Sequence, residues 1–225
     1  GARLTRRAFI GAGGMLAAAL ALPPSLARAA EGTGSLDAGQ AASWIEILAD
    51  NTVRIRTGKC DFGQSSIYTA YRQIVADELG VPISAMTEVV SGDTDRTPEG
   101  GGTFGLLRSA QNLRKVAAII REAALDLAAE RLGVARDTLS VDGGAISGGG
   151  RSLTYGELVN GQDLRLTIPV EGDLLHPRGL SVAGNPPFRP RNGQSHVGHP
   201  VRNPSLRPKM AGETTWVSDV TLPGM

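Results

Sequence analysis

Aromatic residues and cysteine are scarce in this chain, and each scarcity excludes a class of protein. Aromatics make up 4% of the 225 residues, and the single cysteine is Cys60. One cysteine excludes an internal disulfide framework and a zinc site built from cysteines alone. The formal net charge is only +1, so no nucleic-acid partner is expected. Glycine (30 residues) and proline (13) are abundant, which predicts many turns and extended loops.

The first 29 residues have the layout of an export signal. Arg6 and Arg7 precede an apolar run from Ile10 to Leu22, and a small-residue A-x-A pattern ends the segment. The apolar run is shorter than the roughly 20 residues that cross a bilayer. The paired arginines and the Gly/Ala-rich run resemble a twin-arginine signal. They predict export to the periplasm in a folded state, with membrane association left open. An amphipathic N-terminal helix is the alternative, but the run carries no charged stripe.

Residues 36–162 predict an α+β unit in which β-hairpins pack with two main helices. Alternating apolar residues predict hairpins near Trp44–Thr57 and Leu139–Ile146. Apolar residues at helical spacing predict a helix that ends at Gly80 and a longer one over Ala110–Leu132. The shorter expected elements are a cap at Ser65 or Ser66, a strand at Met86–Ser91, and a short helix from the capping box Thr154–Glu157 through Leu158.

The pattern dissolves between residues 163 and 208, which hold eight of the 13 prolines and all three histidines. We expect residues 163–200 to be an extended Pro/Gly-rich linker that lies over a partner or over a part of the protein missing from this sequence. His196 and His199 have helical metal-ligand spacing, but Gly198 and Pro200 argue against a helix, so we interpret them as loop residues. Residues 201–225 begin a further unit, with strand character at Thr214–Val217, and the chain looks cut off.

Two glycine-rich loops each lead into a predicted helix. The first is GKCDFGQ, which contains Gly63 and Gln64, and the second contains Thr103, Phe104 and Gly105. Neither matches a Walker or Rossmann fingerprint. Loops before helix N-termini can present backbone N–H groups to an anion, and Gln64 would add an amide donor and a carbonyl acceptor. A plain strand-to-helix turn remains the alternative for both loops.

Other candidate reactive residues favour structural roles. Cys60 is expected to be a buried packing residue, because no histidine lies near it in sequence. Asp93 and Asp95 are expected to brace a turn. The residues alone therefore predict an exported α+β chain with two anion-compatible loops.

The order of several short motifs adds a family resemblance. GKCDFGQ, IVADELGVP, GDTDRTP, GTFG and DVTLPGM occur in one order. Together they resemble the molybdopterin-binding large subunit of the xanthine dehydrogenase/aldehyde oxidase family, in its exported isoquinoline 1-oxidoreductase and nicotinate or aldehyde dehydrogenase branch. The resemblance implies that residues 36–162 are part of a molybdenum-cofactor-binding domain. It also implies that residues 201–225 enter an α/β hammerhead domain.

The resemblance implies a periplasmic molybdenum hydroxylase that oxidises an aldehyde or aromatic N-heterocycle with oxygen from water. The implied cofactor is a molybdenum–molybdopterin dinucleotide, of the cytosine type. Electrons would pass to [2Fe-2S] clusters on a small partner subunit, with a c-type cytochrome as a candidate acceptor. By motif position, Gly63 and Gln64 would contact the pterin. Thr103, Phe104 and Gly105 would lie near the phosphate-bearing end of the cofactor.

Two departures from the family pattern bear on activity. The second loop is about three residues short, and Leu106 stands where the family has a serine that can donate to phosphate. The glutamate that the family uses in catalysis lies beyond the hammerhead, so no catalytic residue and no protein ligand to a metal is expected within 1–225. The chain would then act only with the remainder of the large subunit or a complementary chain. The alternative is a truncated, non-catalytic fragment or interaction module.

Overall fold

The computed structural model describes residues 36–64, 66–91, 97–99, 104–159, 165–172 and 179–224. The export signal predicted for residues 1–29 and the turn aspartates Asp93 and Asp95 lie outside the described residues, as does Thr103. Within the described part, no helix is both long enough and apolar enough to cross a bilayer.

A mixed three-stranded sheet and a helix form the first half of the fold. Strand β1 (Ile45–Ile47) pairs antiparallel with β2 (Val53–Arg56), as the hairpin pattern predicts, and β3 (Met86–Val90) pairs parallel with β2. Helix α1 (Ile67–Leu79) connects β2 to β3 and ends at Gly80, whose left-handed backbone (φ +70°) suits glycine. The predicted cap is only partly confirmed, because Ser66 occupies the cap position without a side-chain hydrogen bond.

The long helix α2 (Ala110–Leu132) packs against α1 and ends at Gly133, as predicted. Leu113 and Val116 are fully buried on its inner face, together with Trp44 and Tyr71 from the first half. An antiparallel meander follows, of strands β4 (Ser140–Asp142), β5 (Ala145–Gly148) and β6 (Arg151–Thr154), the last of which the sequence pattern did not reveal.

Helix α3 (Tyr155–Val159) begins at the predicted capping box. The backbone N–H of Thr154 donates to the Glu157 carboxylate, and the N–H of Glu157 donates to Thr154 Oγ1. The backbone N–H groups of Thr154 and Glu157 at this helix start are therefore both satisfied within the chain.

The described part of the Pro-rich segment packs on this chain's own helices, contrary to the expectation that it lies over a partner or over a part of the protein missing from this sequence. Strands β7 (Val170–Glu171) and β8 (Ser181–Val182) form a small ladder, and Val182 is fully buried in the core. The Asp77 carboxylate accepts backbone N–H groups from Ser195, His196 and Val197. We call residues 187–199 the strap. Acidic side chains of α1 hold it, which local hydrophobic periodicity cannot reveal.

The strand expected at Thr214–Val217 is wrong. The described C-terminal residues instead form helix α4 (Leu206–Met210) and a single turn at Val217–Asp219. The side chains of Trp216 and Val217 are exposed. No neighbouring strand among the described residues supplies hydrogen bonds that would make this apolar stretch extended.

Candidate functional site

The first loop, residues 58–64, is held by hydrogen bonds at both of its ends. Tyr68 Oη on α1 accepts the Asp61 N–H and hydrogen-bonds the Lys59 carbonyl oxygen at 3.0 Å. One oxygen of Asp61 accepts the Gly63 N–H at 2.9 Å, and the other pairs with Lys209 Nζ of α4, also at 2.9 Å. These hydrogen bonds connect the loop to α1 and α4 within the chain.

Gly63 and Gln64 lie at the exposed tip of this loop. Gly63 has φ +98°, and a Cβ added there would meet no atom within 4 Å. Glycine is therefore required by the backbone conformation, and the space above it is open for a close approach. Gln64 Oε1 accepts the Phe62 N–H at 2.8 Å. The carbonyl that we expected to be offered to a ligand thus braces the loop, and the amide nitrogen is the donor that Gln64 can offer.

The second loop enters α2 through a π-helical turn at Gly105–Ser109. Phe104 precedes this turn with a left-handed backbone (φ +64°), and its exposed ring lies 5.3 Å from the Arg108 guanidinium carbon. A Cβ at Gly105 would meet Ile67 Cδ1 at 1.9 Å and Tyr71 Oη at 2.7 Å. Gly105 therefore allows the loop to pack tightly against α1, and its expected place near the phosphate-bearing end of the cofactor stays a prediction.

The fold brings the two loops together at one end of the helix pair. Gly105 packs on Ile67, the first residue of α1, whereas Glu78 near the other end of α1 pairs with Arg114 and Arg121 of α2. The helices consequently run in the same direction, and both N-termini lie beside the loops. Neither helix has an acidic residue in its first turn or a side-chain cap hydrogen bond at its N-cap. The dipoles of both helices therefore favour a negative charge at this end of the helix pair.

A buried carboxylate lies beneath the loops. Glu99 is 7% exposed, and its Oε1 accepts a hydrogen bond from Thr57 Oγ1 at 2.7 Å and another from the Ser109 hydroxyl. Burial raises the pKa of Glu99, while the hydrogen bonds from Ser109 and Thr57 and the charge of Lys59 oppose that rise.

Tyr71 lies next to this carboxylate and is itself fully buried. Burial raises the pKa of Tyr71 to about 12, with the Glu99 charge adding to that rise and the nearby Ser109 and Thr57 hydroxyls opposing it. Its hydroxyl nevertheless has no partner at hydrogen-bond geometry among the described residues. Because its pKa is raised, Tyr71 is a neutral phenol at physiological pH.

Sequence reasoning identified the tips of the loops but not what holds them. Glu99 stands beside glycines in a loop pattern, so nothing in the periodicity indicated that it is buried. Glu78 could have been found, since it follows Ile67, Tyr71 and Ile74 along the apolar stripe of α1. A charged residue on such a stripe indicates a buried partner.

Of the remaining candidates, Cys60 is half-buried rather than fully buried, with its Sγ 3.9 Å from the Gly58 carbonyl oxygen. His196 and His199 lie in the strap, and their backbone carbonyls accept from the Gln73 amide. No group of three or more His, Cys, Asp or Glu side chains suited to holding a metal occurs in the described part of the chain.

Comparison with known proteins identifies the family. A model of the molybdopterin cofactor-binding domain matches residues 17–195. A nicotinate dehydrogenase subunit of Pseudomonas putida is 32% identical over 207 residues, which cover 90% of this chain and 16% of that protein. The putative xanthine dehydrogenase molybdenum-binding subunit of Escherichia coli is 34% identical over 76 residues, which are 32% of this chain and 10% of that protein. The chain thus spans a small part of the length of these relatives.

Two solved structures match part of this chain. The Cu,Mo-containing CO dehydrogenase matches 60% of this chain and 21% of its own, with a TM-score of 0.45 and 24% identity. Quinoline 2-oxidoreductase from Pseudomonas putida 86 matches 51% of this chain and 15% of its own, with a TM-score of 0.44 and 25% identity. Because the family model covers well over half of the sequence, including the first loop, the second loop and both long helices, the chain belongs to the molybdopterin cofactor-binding domain family.

Proposed function

We propose that this chain supplies part of the cofactor-binding surface of an exported molybdenum hydroxylase. The observation that carries the proposal is the junction of the two loops at neighbouring N-termini of α1 and α2, neither of which carries an acidic first turn. Such a junction suits the phosphate groups of a pterin dinucleotide, because backbone N–H groups and helix dipoles both favour negative charge.

The residues present fit such a group in part. Open space above Gly63 admits a planar ligand close to the backbone, and the Gln64 amide can donate to a polar edge of that ligand. Leu106 and Leu107 are exposed in the π-helical turn before α2 and offer no hydroxyl, while the Ser109 hydroxyl donates to Glu99. In the proposed site, backbone N–H groups would therefore bind the phosphate instead of the side-chain hydroxyl that the motif resemblance implies.

When bound, the molybdenum–pterin group would supply the two-electron redox chemistry. The chain's own part is to bind and orient that group. Relatives named as nicotinate and xanthine dehydrogenase subunits support aromatic N-heterocycles as a substrate class, and the proposal also includes aldehydes, which the motif resemblance implies. The same proposal includes a cytosine dinucleotide, an iron–sulfur partner subunit with [2Fe-2S] clusters, and export to the periplasm through the arginine-pair signal.

Purification of the complete large subunit that contains this chain, from a host that makes the cofactor, tests the proposal. Molybdenum content by mass spectrometry and pterin content by fluorescence after oxidation should be equimolar with the protein. The preparation should also oxidise an aldehyde or an N-heterocycle when its iron–sulfur partner is present. A complete assembly without pterin or molybdenum would refute the proposed function.

A further inference from the structure

Glu99 is the one carboxylate in the described residues that hydrogen-bonds side chains flanking both loops. Thr57 directly follows β2 and precedes the first loop, and Ser109 ends the turn of the second loop. Their hydroxyls converge on the same oxygen of Glu99 from positions 42 and 10 residues away in sequence. The Gly58 backbone also hydrogen-bonds this carboxylate and opposes the rise in its pKa.

The hydrogen bonds form a continuous chain from one loop to the other. The Lys59 N–H donates to Thr57 Oγ1 at 3.2 Å, Thr57 donates to Glu99 Oε1, and Ser109 donates to the same oxygen. A displacement of either loop must break or lengthen one of these bonds. Because they are buried, an unsatisfied hydroxyl would carry a desolvation cost as well as the loss of its partner.

Packing alone does not explain a carboxylate at this position. An apolar side chain of similar size would fill the space without the cost of burying a charge. The groups that face Glu99 are Lys59 of the first loop and the neutral Tyr71 of α1, together with the two hydroxyls. The carboxylate is distinguished from an apolar side chain by its ability to accept several hydrogen bonds from two separate segments.

We propose that Glu99 is a positioning residue that couples the two cofactor-binding loops, so that disturbing one loop loosens the other. This proposal rests on the proposed function for what the loops bind, but the coupling itself is a property of the described residues. Cross-loop coupling would let a ligand held by the first loop also order the second, because both share one buried acceptor.

Hydrogen–deuterium exchange of the full chain tests the coupling. Thr57→Val removes the donor beside the first loop, and we expect amides of residues 105–109 to exchange about 2- to 13-fold faster, the range that corresponds to loss of one net hydrogen bond. Ser109→Ala should accelerate residues 58–64 in the same way. Glu99→Leu should loosen both loops, and Glu99→Gln, which keeps a carbonyl acceptor, should restore part of the protection.

The meander of β4–β6 is the internal control, and Ser147→Ala, which removes an exposed hydroxyl pair with Ser152, is the matched variant. Faster exchange confined to the altered loop, or equal acceleration of the meander, would overturn the coupling. Pterin content of the same variants in the complete subunit separates the two proposals. If the variants show faster exchange in both loops but the complete subunit never holds pterin, the coupling is supported and only the proposed function is refuted. If the complete subunit holds pterin but the variants show no cross-loop effect on exchange, only the coupling is refuted.

Discussion

Gln64 has two different hydrogen-bonding groups, and the structure assigns them different uses. Its carbonyl oxygen accepts the Phe62 N–H and braces the loop tip, which leaves the amide nitrogen as the donor for a ligand. Cys60 lies in the same loop but points a half-buried thiol at the Gly58 carbonyl. The two residues therefore form a natural pair for comparison.

Gln64→Ala in the complete subunit should weaken cofactor retention without unfolding the protein. The expected loss is about 0.5–1.5 kcal/mol, the net value of one hydrogen bond, and it is measured as pterin retained after prolonged gel filtration. Cys60→Ser should retain as much pterin as wild type, because the thiol makes only a weak local contact. Loss in Cys60→Ser with full retention in Gln64→Ala would show that the wrong residue of the loop has been assigned.

The raised pKa of Glu99 predicts that the stability of the protein changes with pH in a known direction. Since burial raises its pKa in the folded chain above the ordinary value, the folded state binds more protons than the unfolded state between those two pKa values. The stability contribution of Glu99 is therefore full below the ordinary value and is lost as pH rises through the raised pKa. Urea unfolding should show Glu99→Gln gaining stability relative to wild type as pH increases.

The exposed Glu157 is a control, because its contribution to stability should change with pH in the direction opposite to that of Glu99. Hydrogen bonds from Thr154 lower its pKa, so its contribution is present above the ordinary value and lost as pH falls through the lowered one. Glu157→Gln should therefore lose stability relative to wild type as pH rises through that range. A difference between Glu99→Gln and wild type that is independent of pH would contradict the assignment of Glu99 as a buried acid.

At the scale of elements, the two helices are joined near the C-terminal end of α1 by a buried ion pair. Glu78 is 1% exposed, and it pairs with Arg121 and, at 3.1 Å, with Arg114 of α2. Arg121 also donates to the Pro187 carbonyl, and Glu78 accepts the Arg189 N–H. The same charged groups thus fix the helix pair and the start of the strap.

Arg121→Met should destabilise the protein by about 3 kcal/mol, because it leaves a buried carboxylate with only its second arginine. The free energy of unfolding in urea is the measurement. Glu88→Gln, which removes an exposed partner of Arg54, is the control and should cost less than about 1 kcal/mol. Equal effects of the two changes would mean that the ion pair does not join the elements as described.

Local pattern predicted most of the elements but not how the segments meet. Apolar spacing and the glycines Gly80 and Gly133 predicted the bounds of α1 and α2 closely, since helix caps are local features. The strap depends on contacts with residues over a hundred positions away in sequence. The strand predicted at Thr214–Val217 is wrong because no neighbouring strand among the described residues pairs with it. The loop tips could be predicted from glycines and motifs, whereas Glu99 could not, because its burial arises only when three segments converge.

At the scale of the whole molecule, the Pro-rich segment closes the fold. It returns along the helix pair, adds Val182 to the core and brings α4 beside the first loop, where Lys209 pairs with Asp61. The loop that carries Gly63 is therefore held by Tyr68 of α1 and by Lys209 of α4. The junction of the two loops is thus built by the small mixed sheet, the two long helices and this returning segment.

Pterin content of the complete subunit with Gly63→Val is the sharpest test of cofactor binding by the first loop. A β-branched residue at φ +98° strains the backbone and fills the open space over the loop. Gly150→Val is the matched control, since Gly150 has φ +75°, open space around it and a place in the distant β5–β6 turn. We expect pterin to be equimolar with the protein in wild type and in Gly150→Val, and to be scarce in Gly63→Val. Pterin retained equally by all three would contradict this expectation.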